Sequence, residues 1–159
     1  MDHTTRNTLV AELTALLRKG YAHASLEEAC ANLPLPLVNQ PVPQVPYTIW
    51  QLAEHLRIAQ WDILEFSRNP DYASPEWPEG YWPSADPVDE ATWQATLASL
   101  TRDREAFIAL LQDPSLDLLA SFPHGTGQSL LREAMLIADH NSYHMGQLIL
   151  VRRLLGAWE

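Results

Sequence analysis

Apolar residues recur along this chain at spacings of three and four, and four stretches sustain the pattern long enough to predict long helices. The first runs from about Thr4 to Lys19, with Leu9, Leu13, Leu16 and Leu17 recurring at helical spacing and Gly20 as its stop. Ser25 and Glu28 stand at capping-box spacing ahead of a short helix. The second long helix opens at Thr48, with Gln51 as capping partner. Ile49, Leu52, Leu56, Ala59, Ile63 and Phe66 form its stripe, and it ends near Asn69, before Pro70. The third follows Asp89 and runs from about Glu90 to Gln112, with Trp93, Leu97, Leu100, Phe107 and Leu111 facing inward, and Pro114 ends it. The fourth starts near Ser129 and runs to Leu155, before Gly156. Arg152 and Arg153 in its last turn suit the negative end of the helix dipole.

Between the helices lie two unusual connections. One holds Pro34, Pro36, Pro41, Pro43 and Pro46, and the missing amide donors predict an extended path over the surface. The other, residues 70–87, mixes proline with Trp77, Tyr81 and Trp82. Rings of that size are costly to leave in water, so they are expected to cover one end of the helices or to meet a second subunit. No strand-like alternation of useful length interrupts the helices. The fold class is therefore all-α, a helix bundle, and residues 1–159 are expected to form one domain. The long connections permit neighbours that are not consecutive, so the topology stays open.

Composition narrows the function. Apolar residues make up 47% of the chain and charged residues 19%, as in a globular protein. The formal charge of −10 argues against nucleic-acid binding and against an anionic membrane surface. No apolar run suits a bilayer span. Residues Met1 to Arg6 are polar and lack the core of a secretory signal, so a cytoplasmic location is expected. The single cysteine, Cys30, excludes an intramolecular disulfide and a cysteine-rich zinc site, and its helical setting suits a small buried apolar residue. Phosphate-binding loops, the GxSxG elbow and HExxH are all absent.

Three histidines carry the candidate chemistry. His140 and His144 are four residues apart, so their imidazoles share one helix face with Ile137, Leu148 and Val151. His55 sits beside Leu52 and Ala59 on the apolar face of the second long helix. A histidine on such a face must find a partner for its polar nitrogens, and a shared metal ion satisfies three at once. Three neutral imidazoles suit zinc, nickel, copper or ferrous iron. On spacing alone, this reading stands level with one in which each ring is a satisfied core residue.

The segments TIWQLAEHLRIAQWDIL (48–64) and GQSLLREAMLIADHNSYHMGQLILVRRLLG (127–156) resemble the DinB family, also described as DinB/YfiT-like metalloenzymes. The family pattern is one histidine in the second helix and an HxxxH pair in the fourth. His55, His140 and His144 fall on those positions. The resemblance implies a four-helix bundle, one divalent ion (zinc or nickel, with iron also suited) at one end of its core, and frequent homodimers. Family members with an assigned reaction include thiol-dependent transferases and isomerases. A metal-dependent transferase or hydrolase acting on a small molecule, with a low-molecular-weight thiol as partner, is therefore one expectation. A metal- or small-molecule-binding homodimer without catalysis is the other.

Nearby residues have smaller expected roles. Glu54 and Asp139 adjoin the histidines in sequence, so they point about 100° away around the helix. Neither helix offers the Glu-x-x-His pair of a di-iron bundle, because Glu54 directly precedes His55 and Glu133 lies seven residues before His140. Tyr143 and Gln147 lie near the histidine face, and Asn141 is placed to bond a neighbouring helix. His124 is read as a surface residue, with a proton carrier near the metal as its alternative. His3 and His23 receive no functional role.

Overall fold

The helices start and stop where local chemistry dictates. In the computed structural model, which describes residues 1–158 and so leaves Glu159 of the expected domain outside the described residues, α1 spans His3–Lys19 and ends at Gly20 in the left-handed conformation. Capping boxes at Ser25/Glu28 and Thr48/Gln51 open α2 (Leu26–Cys30) and α4 (Ile49–Arg68). The side chains of Asp89 and Ser129 cap α5 (Glu90–Gln112) and α6 (Leu130–Leu154). One expectation is corrected. The proline-rich connection is not wholly extended, since Leu35–Val38 form a helical turn, α3. Pro34 caps that turn and Pro36 lies in its opening positions, where no amide donor is needed.

The four long helices form the bundle, with α4 packed against α5 and α6, and α1 against α5 and α6. Cross-links set the directions. Gln60 and Glu54 of α4 bond Leu100 and Thr96 of α5 in the same order, so these neighbours run parallel. The start of α4 packs with the end of α6 around Trp50, Leu52 and Leu148, and its end packs with the start of α6 around Leu64 and Leu130. These two helices are therefore antiparallel.

Parallel α4 and α5 require a return path. A 20-residue helix is about 30 Å long, so the chain must climb back along the bundle before α5 begins. The connection does this against α4 itself. Tyr72 meets Trp61, Tyr81 bonds Asp62, Trp82 stacks on His55, and the Pro83 carbonyl accepts from Gln51. It thus covers the middle of a helix and not the expected end of the bundle, while Trp77 remains 67% exposed. Among the described residues, no helix is long and apolar enough to cross a membrane.

Candidate metal centre

The antiparallel register of α4 and α6 brings His55, His140 and His144 together at the seam between the two apolar clusters. Each offers a nitrogen, and the three nitrogens lie within 4.8 Å of one another. His55 lies in the seventh position of the 20-residue α4, and His140 and His144 lie near the middle of the 25-residue α6, so the cluster sits along the bundle and not at the end that the resemblance implied. His55 and His144 are 2% and 8% exposed, and His140 is half-buried. Trp82 lies flat on His55 with ring centres 3.9 Å apart, and Tyr47 stacks on the other side of Trp82 at 4.2 Å.

Hydrogen bonds assign the ring protons. His55 Nδ1 lies 2.9 Å from the Tyr81 carbonyl, which only accepts, so that nitrogen carries the proton and Nε2 is bare. His144 Nδ1 donates to Gln147 Oε1 at 2.7 Å, again leaving Nε2 bare. His140 Nε2 faces His55 Nε2 at 3.1 Å. Burial pushes the proton affinities of all three rings down. His140 falls furthest, to about 4, through desolvation first and then through its neighbours His144 and His55. The Asn141 amide lies close enough to oppose this shift, yet His140 Nδ1 and Asn141 Oδ1 are each buried without a hydrogen-bond partner. At neutral pH the rings are therefore uncharged and able to donate lone pairs.

This donor set fits a divalent ion. Neutral imidazoles held by oxygen acceptors at Nδ1 are how protein zinc sites orient their histidines. Adjacent nitrogens around a tetrahedral ion with bonds of 2.0–2.1 Å lie about 3.3 Å apart, close to the His55–His140 spacing of 3.1 Å. Two bare nitrogens at that distance repel unless a proton or a cation lies between them.

Other sequence candidates fall outside the cluster. Glu54 pairs with Arg57 at 2.6 Å and accepts from Thr96, and Asp139 is exposed. Glu133 is buried but pairs with Arg132 at 2.6 Å. His124 is exposed and bonds the Phe66 carbonyl, eleven residues beyond His55 on α4, or about 16 Å along it. His23 bonds Ser142 and the Ala24 carbonyl. Cys30 is buried, and desolvation pushes its thiol up to about 12, as befits a packing residue. Gln147 joins the site as the acceptor for His144, and Tyr143 packs its ring edge-on to His144 at 4.8 Å while staying 65% exposed. Sequence reasoning did not find the Tyr81 carbonyl, which is a backbone atom without a residue signature. It also passed over Gln60, although a glutamine at a stripe position between Leu56 and Leu64 is a visible signal. Gln60 is 2% exposed and joins α5 to α6 by donating to the Leu100 carbonyl and accepting from Asn141.

A family model described as the DinB superfamily matches residues 21–148. No curated protein and no solved structure matches the chain.

Proposed function

The chain belongs to the DinB superfamily, and on that premise we propose that it holds one divalent ion through His55, His140 and His144 and acts as a metal-dependent transferase of a low-molecular-weight thiol to a small electrophile. The observation that supports this most is the convergence of three uncharged imidazoles, two with Nδ1 committed to oxygen acceptors. Zinc and nickel suit such ligands, and ferrous iron is the next choice. When bound with an open position, an ion of this kind supplies Lewis acidity and lowers the proton affinity of a thiol or water brought to it. The chain's own residues supply the setting. Tyr81 and Gln147 fix two ring orientations, and Trp82 with Tyr47 shields His55 from solvent.

That same cover favours a second reading, a metal-binding protein without catalysis, because two of the three rings are almost closed to solvent. Elemental analysis of protein purified without a metal-affinity tag tests both readings. About one equivalent of zinc, nickel or iron is expected, and it should vanish in a His140→Ala/His144→Ala variant. Consumption of a thiol with any of a panel of electrophiles then selects the enzyme. Metal without turnover selects the binding protein, and no metal after incubation with each ion sinks both.

We also propose a homodimer in the cytoplasm. Met135, Tyr143, Leu150 and Leu154 on α6 are 54–65% exposed, and their positions fall within an arc of about 100°. A Leu150→Glu/Leu154→Glu variant is expected to elute as a monomer in light-scattering chromatography while keeping its metal. A wild-type protein that is itself monomeric would remove the proposal.

A further inference from the structure

Two of the three candidate ligands have an oxygen acceptor at Nδ1, and the third has none. His140 Nδ1 is buried and unpartnered, and so is Oδ1 of the next residue, Asn141. One of these atoms belongs to a group that can donate there, and the other only accepts.

The orientation of Asn141 is fixed from outside the site. The Leu100 carbonyl can only accept, so Gln60 turns Nε2 to it, at 2.7 Å. This leaves Gln60 Oε1 toward α6, and Asn141 donates to it through Nδ2 at 3.1 Å. The atom remaining on Asn141 is Oδ1. A backbone carbonyl on α5 therefore dictates, through two buried amides, that Asn141 presents an oxygen and not an NH2.

The ring supplies the other half. Because His55 Nε2 is bare, His140 Nε2 can bond it at 3.1 Å only by carrying its own proton there. His140 Nδ1 is then bare and needs no acceptor. An ion shared by the two rings requires both Nε2 atoms to be bare, so the single proton of neutral His140 must sit on Nδ1. A buried N–H there without an acceptor is costly. We propose that Asn141, locked by Gln60, is the positioning residue of His140, with its Oδ1 receiving the Nδ1 proton when Nε2 turns to the metal. The ring's charge is unchanged and the proton only changes nitrogen. The inference rests on the metal reading above. It gives each of the three histidines its own oxygen: Tyr81 for His55, Gln147 for His144 and Asn141 for His140.

A cavity of about 40 Å³, lined in part by Gln60, Asn141 and Ser142, offers room for a water as the rival partner of Asn141 Oδ1. The test separates the two. Zinc-loaded protein labelled with nitrogen-15 histidine is read by long-range proton–nitrogen correlation, and zinc affinity by chelator competition. Wild type is expected to show His140 protonated at Nδ1 and slow to exchange with solvent. Asn141→Ala should lose the slow exchange and bind zinc about 10–100-fold more weakly. A purely structural role would lower the melting temperature and leave the Nδ1 proton unaltered. Wild-type affinity and exchange in Asn141→Ala would overturn the inference while leaving the metal site standing. If Asn141→Ala does not fold, the wild-type spectrum decides alone, and a His140 Nδ1 proton exchanging at the solvent rate overturns it. A wild type that takes up no zinc removes the metal reading itself, and this inference with it.

Discussion

Protein stripped of metal is expected to lose roughly 3 kcal/mol of folding stability as the pH falls from 6.5 to about 4, most of it through His140. In the folded chain this ring resists protonation, whereas in the unfolded chain it titrates normally. Between the two values the unfolded state binds more protons, so stability rises with pH across the window. It is fully present above 6.5 and is lost as the pH falls through the folded value of about 4. His55 and His144 are shifted the same way and add to the slope. Carboxylates held low by hydrogen bonds, such as Asp89 and Asp113, have an ordinary value of 3.8 and lose their contribution only near and below it. Glu28 and Glu105, held low from an ordinary value of 4.5, add to the slope near and below it, while Glu133, pushed up by burial, opposes it above, so the share of His140 is the part of the slope that its replacement removes. Urea denaturation at a series of pH values, after chelation, measures the slope. His140→Leu, which fills the site and cannot ionise, should flatten it. Equal slopes in variant and wild type would show that His140 is not held neutral by burial.

The helix boundaries were legible because they are local. Thr48 with Gln51, Ser25 with Glu28, Gly20 and Asp89 each act on atoms within four residues, and each element begins or ends where they stand. Helix α3 was hidden by the same rule applied too widely, since a proline that blocks a helix interior is tolerated in its first turn. The histidines were legible as faces and not as a cluster. Their spacing puts His140 with His144, but meeting His55 depends on the register of α4 against α6, which core packing sets far from the site. The parallel pairing of α4 with α5 left no local trace beyond a long connection. That pairing is what brings Tyr81 and Trp82 onto His55. Gln60 differs, because a polar side chain one turn on from Leu56 is a visible signal of a buried bond, and it was passed over.

Arg152→Leu is expected to cost about 3 kcal/mol, several times the effect of the same change at its neighbour Arg153. The sequence suggested one role for both residues, completing the dipole of the last turn of α6. The structure separates them. Arg153 is exposed, whereas Arg152 is 5% exposed and turns back into the molecule. Its Nη1 donates to the Ala29 carbonyl at 2.6 Å, while Nε and Nη2 donate to the Ala157 carbonyl at 3.1 and 2.7 Å. Its guanidinium also lies 5.0 Å from the Trp158 ring centre. One side chain thus ties the end of α2 to the chain beyond α6. Ala29 is fully buried, so leucine would strand its carbonyl in an apolar setting at about 1–3 kcal/mol, besides losing the charge-assisted bonds. Removing a desolvated charge returns part of that loss, which holds the net figure near 3 kcal/mol. Arg152→Lys should recover little, since one ammonium cannot reproduce a planar fork that spans two carbonyls. Denaturation midpoints for Arg152→Leu, Arg152→Lys and Arg153→Leu measure the difference. A loss below about 1 kcal/mol in Arg152→Leu would mean that solvent reaches the Ala29 carbonyl and that packing alone fixes α2 to α6.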